Sequence, residues 1–153
     1  MALFLVQHGK AAPADVDPER GLTAEGRAEV ERIADVAKGY RVAVRSILHS
    51  GKKRARETAE IFAARLGADI AVTAIPGIEP NDDVASFAGK LNAADNAMVV
   101  GHLPFMEKLA AHLVTGSSLR PVFKFQNGGI VCLDRDQENG SWVIIWALMP
   151  RIG

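Results

Sequence analysis

Apolar and polar residues alternate in blocks that predict strands followed by helices. Residues 3–6 form a continuous apolar run that stops before His8, as expected for a central strand buried on both faces. Thr23 then precedes a segment with apolar residues at helical spacing, and Gly39 follows as a stop signal. The pattern therefore predicts a first strand and a first helix, with Thr23 as the helix cap.

The same alternation continues through the middle of the chain. Further strands are predicted at residues 44–48, 70–73 and 97–100, and further helices at residues 53–66, 83–91 and 104–114. Asn81 or Asp82 is the expected cap of the third helix, and Pro104 suits the first turn of the fourth. Repetition of strand, turn and helix favours a parallel sheet joined by right-handed crossovers.

The end of the chain has a different pattern. Apolar runs at residues 129–133 and 142–148 flank a polar stretch that contains Asn139-Gly140, a pair typical of hairpin turns. We therefore expect an α/β protein, a three-layer α/β/α sandwich whose central sheet is mostly parallel and has an antiparallel edge. No repeat or linker divides residues 1–153, which predicts a single domain.

The charge balance narrows the classes of partner. Lys and Arg number 18, as do Asp and Glu, so the net charge at pH 7 is zero. This disfavours nucleic acid and membrane surfaces as partners, because both attract an excess of positive charge. Residues 2–6 are too short an apolar run for a signal or spanning segment, and the single cysteine, Cys132, has the neighbours of a buried strand. We expect a cytoplasmic location.

Three polar clusters follow predicted strands, where ligands bind in open α/β sheets. They comprise residues 7–10, 50–54 and 101–102, with two histidines and several cations. Any one of these clusters could be a histidine in a turn or a run of solvated lysines and arginines. Their expected position at the same edge of the sheet is what indicates a site. Gly51-Lys52 lacks the rest of a P-loop. The spacing of the histidines does not suit a metal ion, and we expect neither a metal nor a cofactor.

Four sequence blocks occur in the order of a known family's patterns. They are Q-H-G-K-A from Gln7, R-G-L-T-A-E-G from Arg20, S-G-K-K-R-A-R-E-T from Ser50 and G-H-L-P from Gly101. These blocks resemble the R-H-G, R-x-L-T-x-x-G, S-P-x-x-R-A-x-x-T and G-H-x-P patterns of the histidine phosphatase superfamily, also called the phosphoglycerate mutase-like group. They are most similar to the SixA-type phosphohistidine phosphatases. The resemblance covers essentially the whole chain and implies the phosphoglycerate mutase-like fold.

The resemblance also implies a role for each matching residue. His8 is the expected nucleophile, whose neutral imidazole forms a covalent phosphohistidine. Arg54 is expected to bind two phosphoryl oxygens at once, and Arg20 to add a second clamp. His102 is expected to donate a hydrogen bond to the phosphoryl group as charge redistributes in the transition state.

Position 7 departs from the family pattern, since Gln7 replaces the arginine that precedes the nucleophile. The amide keeps a hydrogen-bond donor at the phosphate site but removes a charge, and loss of one such electrostatic donor costs on the order of 10²–10³ in rate. Lys52 and Lys53 are expected only to steer the substrate. We therefore expect a slow or specialised phosphatase, with an inactive phosphoprotein-binding module as one alternative.

The expected substrate class depends on the leaving group. A phosphohistidine leaves as imidazole and needs less acid catalysis than the alkoxide of an ester. Glu79 is the nearest match to the general acid of the family, with Asp82 and Asp83 as further candidates. We expect a phosphohistidine substrate on a protein of the histidine-containing phosphotransfer type, because a short chain has no room for an enclosing lid. A small-molecule phosphomonoesterase, acting on a phosphate ester, is the other alternative.

Overall fold

A mixed β-sheet lies at the centre of the computed structural model, which describes residues 1–152. In chain order its strands and helices are β1 (Leu3–Gln7), α1 (Ala24–Gly39), β2 (Ser46–His49), α2 (Lys53–Leu66), β3 (Ala71–Ala74), α3 (Val84–Ala88), β4 (Ala97–Gly101), α4 (Phe105–Thr115), β5 (Ile130–Arg135) and β6 (Trp142–Leu148). The predicted order of elements is observed. A short 3₁₀ turn at Ala93–Asp95, which the sequence pattern did not predict, precedes β4.

The strand order is β3-β2-β4-β1-β5-β6. β4 pairs in parallel with β1 and with β2, and β2 pairs in parallel with β3. β5 runs antiparallel to β1, and β6 runs antiparallel to β5. A mostly parallel sheet with an antiparallel edge is thus confirmed. Gln7 lies opposite Gly101 and His49 lies opposite Val100, so β1, β2 and β4 end at the same edge of the sheet.

The core consists of two apolar layers, one on each face of the sheet. Phe4 and Val6 pack with α1 and α2 on one face, whereas Leu3 and Leu5 pack with α3 and α4 on the other. Residues 3–6 of β1 are buried on both faces for this reason, and their apolar run is continuous. Burial of each such side chain contributes about 1.5–3 kcal/mol. The three-layer α/β/α arrangement is confirmed.

Two helix boundaries differ from the predicted ones. Thr23 caps α1 as predicted, and its hydroxyl accepts a backbone amide of the first turn at 2.9 Å. α3 is shorter than predicted, and Asp83 caps it, so the expectation of Asn81 or Asp82 was wrong. α4 begins after Pro104, which occupies the cap instead of the first turn. Because Asn and Asp are both good caps, a run of three such residues does not reveal where a helix begins.

Candidate active site

The loops after β1 and β4 bring two histidines together. His8 follows β1 and His102 follows β4, and these strands are parallel neighbours, so the ring centroids lie 5.0 Å apart. The His8 amide donates to the Gly101 carbonyl at 3.0 Å, which extends the pairing beyond the strand ends. Two residues that are remote in sequence therefore share the edge of the sheet at which a site was predicted.

Hydrogen bonds fix the tautomer of the His8 ring. Its Nδ1 lies 2.7 Å from the Gly9 carbonyl oxygen, which can only accept, so Nδ1 carries the proton and Nε2 keeps a lone pair. The Gly9 amide donates to Thr58 Oγ1 at 2.9 Å, and the Thr58 hydroxyl donates to the Arg54 carbonyl at 2.8 Å. The start of α2 therefore holds the loop that carries His8.

Burial keeps both imidazoles neutral near pH 7. Desolvation lowers the pKa of His8 from 6.5 to about 4; the hydrogen bond to the Gly9 carbonyl opposes this shift, and the charges of Arg54 and Arg20 add to it. Desolvation likewise lowers the pKa of His102 to about 3, with further contributions from nearby positive charges. A neutral imidazole with an available lone pair is the form that attacks phosphorus.

Two arginines lie beside this pair of rings. Arg54, in the first turn of α2, is half-buried, whereas Arg20 is exposed. Arg20 has a left-handed φ of 52° and donates from Nε to the Ala12 carbonyl at 3.2 Å. Burial lowers the pKa of Arg54, and the charge of Arg20 lowers it further. Two guanidinium groups held close enough to repel each other suit a dianionic ligand such as a phosphoryl group.

Polar atoms without partners concentrate at the same place. Of the buried side-chain atoms in residues 1–152, four lack a hydrogen-bond partner, and three of these are Gln7 Oε1, Arg54 Nε and His102 Nδ1. Buried polar groups are nearly always paired in folded proteins, so three orphans in one site indicate a polar ligand. His102 is oriented from its other side, where Nε2 lies 2.6 Å from Ser50 Oγ.

Glu79 is the only one of the three acid candidates whose carboxylate faces the cations in the described chain. Its Oε1 lies 3.9 Å from Lys52 Nζ, and its charge acts on Arg54, where it opposes the lowering of the pKa. Asp82 instead accepts from the Glu79 amide at 2.8 Å, and Asp83 caps α3. The geometry thus separates one residue at the rim of the site from two that stabilise the loop.

The other lysines of the motif blocks are paired with carboxylates. Lys10 Nζ lies 2.6 Å from Glu25 on the surface. Lys53 Nζ lies 3.6 Å from Asp17 and 3.4 Å from Glu19, both in the loop between β1 and α1. Neither ammonium group is among the charges that shift the pKa of His8 or His102 within the described residues.

Close backbone packing explains one glycine of the R-x-L-T-x-x-G block. A Cβ on Gly26 would lie 2.2 Å from the Lys10 carbonyl oxygen, which is far inside the distance that real side chains show. The first turn of α1 therefore packs directly on the backbone that follows His8. Two helices therefore hold the His8 loop: α1 through its first turn, and α2 through Thr58.

Sequence patterns did not predict Asn127 as part of the site. Its Nδ2 donates to the His8 carbonyl at 2.9 Å, and the Gly128 amide donates to the Gln7 carbonyl at 2.8 Å. Gly128 has a left-handed φ of 79°, a conformation that glycine adopts readily. The Asn-Gly-Gly sequence before β5 was the available signal, because such turns let a backbone approach a neighbouring strand closely.

Two features of other protein classes are missing from residues 1–152. No group of three or more His, Cys, Asp or Glu side chains there is placed to hold a metal ion. Within the same range, no helix combines the length and the apolar character needed to cross a membrane.

His49, at the end of β2, is buried, and its Nδ1 accepts from the Gly51 amide at 3.1 Å.

Known proteins are similar to this chain in both sequence and fold. Residues 3–78 match the sequence profile of the histidine phosphatase superfamily (branch 1). The phosphohistidine phosphatase SixA of Escherichia coli (strain K12) is 31% identical over 156 residues, which cover 98% of this chain and 94% of that protein. The structure of the protein histidine phosphatase SixA complexed with tungstate is 29% identical and has a TM-score of 0.83, over 98% of this chain and 97% of the other. The alpha-ribazole phosphatase from Shigella flexneri, 18% identical, has a TM-score of 0.73 over 100% and 98% of the two chains and shows the fold alone.

Fold and site together define an α/β protein of the phosphoglycerate mutase-like fold, with two neutral histidines at one edge of its sheet. The chain belongs to the histidine phosphatase superfamily. Its similarity to SixA over nearly the whole length supports activity as a phosphatase, and so as a hydrolase.

Proposed function

We propose that this protein removes phosphoryl groups from phosphohistidine on a partner protein, through a covalent phosphohistidine formed on His8. The observation that carries the proposal is the orientation of the His8 ring, with Nδ1 bound to the Gly9 carbonyl and Nε2 left as a base beside two arginines. Similarity to the phosphohistidine phosphatase SixA supports the substrate class. The proposed partner is a cytoplasmic protein of the histidine-containing phosphotransfer type, and the reaction uses no metal or cofactor.

The first step transfers the phosphoryl group to His8. The imidazole ring of the phosphorylated partner first takes a proton from solvent on its free ring nitrogen. The Nε2 lone pair of His8 then bonds to phosphorus as the phosphorus–nitrogen bond of the substrate breaks, and that electron pair leaves with the partner's neutral imidazole. Arg54 binds two phosphoryl oxygens with its fork, while Arg20 and His102 stabilise the charge on the third. Imidazole is a good leaving group because its conjugate acid has a pKa near roughly 6.5.

The second step returns the enzyme to its starting state. Water attacks the phosphorus on His8, the phosphorus–nitrogen bond breaks, and the electron pair returns to Nε2. The products are inorganic phosphate and free His8, and the proton from water passes to solvent. The same cations serve both steps, since the phosphoryl oxygens keep their positions while phosphorus moves between two in-line partners.

A small-molecule phosphomonoesterase is the second candidate, and the position of Glu79 favours it. An ester releases a poor alkoxide and needs a general acid, and the Glu79 carboxylate lies at the rim beside Lys52 and Arg54. A Glu79→Gln variant should then lose about 10²–10⁴-fold in ester hydrolysis, the usual contribution of a general acid. Under the main proposal the same variant keeps nearly full activity on a phosphohistidine protein, since imidazole leaves without such help.

Trapping the intermediate tests the nucleophile. We expect rapidly denatured protein to carry acid-labile phosphate on His8 after exposure to a phosphohistidine protein. His8→Ala should abolish the label and lower turnover by on the order of 10⁴-fold or more, because removal of a nucleophile has costs of up to about 10⁶-fold in hydrolases. His112→Ala, which removes a histidine on α4, is the matched control and should retain both.

The same assay tests the alternative of a pure binding module. A protein that only recognises phosphohistidine, as the loss of charge at Gln7 would allow, binds substrate but never carries the label. Turnover of the phosphohistidine protein should also be compared with turnover of a panel of phosphate esters. Higher kcat/KM on an ester, lost in Glu79→Gln, would replace the main proposal with the phosphomonoesterase.

A further inference from the structure

The phosphate site has a deficit of charge at one position. The family pattern has an arginine before the nucleophile, and Gln7 stands there in this chain. Its side-chain oxygen is buried without a partner, and its amide contributes no positive charge. A phosphoryl group that carries two negative charges then has only Arg20 and Arg54 as guanidinium partners in the described site.

The backbone amide of Lys52 donates to Ser50 Oγ at 3.4 Å, beside His102. The charge of Lys52 is among those that lower the pKa of His102, as are the charges of Arg54 and Arg20. The loop that carries it also carries Ser50, whose Oγ lies 2.6 Å from His102 Nε2. The ammonium group is therefore within electrostatic reach of the histidine that faces the phosphoryl group.

The contacts of Lys52 leave its ammonium group available. Its nearest carboxylate is Glu79 Oε1 at 3.9 Å, which is at the outer limit of an ion pair. Lys53, the next residue, instead lies within 3.6 Å of Asp17 and 3.4 Å of Glu19. The two lysines are adjacent in sequence, yet only the charge of Lys52 acts on His102.

The backbone before Lys52 also differs from the family pattern. Gly51 has a φ of 91°, in the left-handed region. The pattern has proline at this position, and proline is restricted to a φ near −65°. The loop between β2 and α2 therefore follows a path that proline could not adopt, and Lys52 follows directly as the cap residue of α2.

We propose that Lys52 supplies the third cation of the phosphate site and replaces the charge that Gln7 lacks. The assignment rests on the proposed phosphatase function, and its ligand is the dianionic phosphoryl group. A lysine ammonium is compact and carried on a flexible stem, so it can leave Glu79 and contact a phosphoryl oxygen when substrate binds. The positive charge enters the site from the β2–α2 loop instead of from the end of β1.

Tungstate binding measured by calorimetry, together with kcat/KM, tests the assignment. Lys52→Met keeps the length of the side chain and removes its charge. We expect it to weaken tungstate binding and lower kcat/KM by about 10–100-fold, the usual value of a hydrogen bond to a charged group. Lys53→Met is the matched control and should change both by less than about twofold, since exposed ion pairs contribute little.

A charge returned at position 7 should rescue the variant. We expect Gln7→Arg to restore most of the tungstate affinity lost in Lys52→Met, and to raise affinity less when Lys52 is present, because two groups that serve one ligand are not additive. Circular dichroism and the thermal midpoint establish that each variant is folded. A folded Lys52→Met that Gln7→Arg does not rescue would overturn the assignment.

The two readouts separate this proposal from the proposed function. If the wild type is active, and Lys52→Met changes neither tungstate affinity nor kcat/KM, the role of Lys52 is overturned and the proposed phosphatase function stands. Wild type that binds tungstate through Lys52, but neither labels His8 nor hydrolyses any substrate, overturns the phosphatase and supports the cation. Wild type that does not bind tungstate overturns the assignment of Lys52.

Discussion

The two ends of the sheet differ in chemistry. At the carboxyl ends of β1, β2 and β4 lie two neutral histidines, two arginines and three buried polar atoms without partners. At the other end, a cavity of about 670 Å³ is lined mainly by apolar side chains, among them Phe4, Tyr40, Cys132 and Trp146. This cavity is therefore separate from the histidines and arginines at the opposite end of the sheet.

Strand direction explains the difference. In parallel strand–helix units, the helices begin near the carboxyl ends of the strands, and their positive dipole ends and polar loops gather there. α2 begins in this way directly after β2. The cavity at the opposite end has no charged side chain among its described lining residues, and burial raises the pKa of the Cys132 thiol to about 12. A thiol with that pKa is a poor nucleophile at neutral pH.

Among the groups that surround the nucleophile, the largest effect is expected from Arg54 at the polar end. Arg54→Ala should lower kcat/KM by about 10²–10³-fold, because one preorganised electrostatic donor to the transition state contributes that much. Arg56→Ala is the matched control: it lies two residues along α2, is exposed and pairs with Glu60 at 3.8 Å. Steady-state kinetics on both variants decide the matter. Equal losses of kcat/KM in the two variants would mean that general surface charge, and not a specific contact of Arg54 with the phosphoryl group, supports the reaction.

An intermediate effect is expected on the pH dependence of stability, through the lowered pKa of the His8 ring. NMR titration of its ring should give a midpoint near pH 4 in place of 6.5, because burial disfavours the charged form. The unfolded chain takes up this proton first as the pH falls, so stability should decrease from about pH 6.5 down to about pH 4 and then level off as far as His8 is concerned. Urea unfolding at pH 7 and pH 5 measures this change.

Two variants sharpen the titration. His8→Gln identifies the signal and should remove its share of the pH-dependent loss of stability. Arg54→Ala should raise the pKa of His8, since the guanidinium charge is one of the causes of its depression. A midpoint of 6.5 in the wild type would show that the ring is solvated and that the site is more open than the structure indicates.

The smallest effect on activity is expected at the apolar end. Trp146 is half-buried and its ring centroid lies 6.1 Å from that of Phe4. Trp146→Ala should lower the free energy of unfolding by about 2 kcal/mol, roughly half the loss from truncating a fully buried aromatic. It should leave kcat/KM within about twofold of the wild-type value, in contrast to the loss expected for Arg54→Ala. A large fall in kcat/KM of the folded variant would show that the two ends are coupled.

Local patterns were sufficient for the scaffold of the site. The apolar run of β1 and the blocks that contain His8, His102 and Arg54 predicted both the order of the elements and the edge at which they meet. Asn127 could not be predicted in this way, because its hydrogen bond to the His8 carbonyl joins residues 119 positions apart. The cap of α3 was missed for a local reason, since three neighbouring Asn and Asp residues are equally suited to that position.

The sequence by itself determined which segments are strands and helices, since that depends on periodicity between close neighbours, and which chemical groups are available. The tertiary structure decided what those groups do. Burial sets the neutral state of His8, a backbone carbonyl sets its tautomer, and the distances to Asp17 and Glu79 separate Lys53 from Lys52. A pKa and an ion pair depend on solvent exclusion and on distances between remote residues, and only the folded chain contains both.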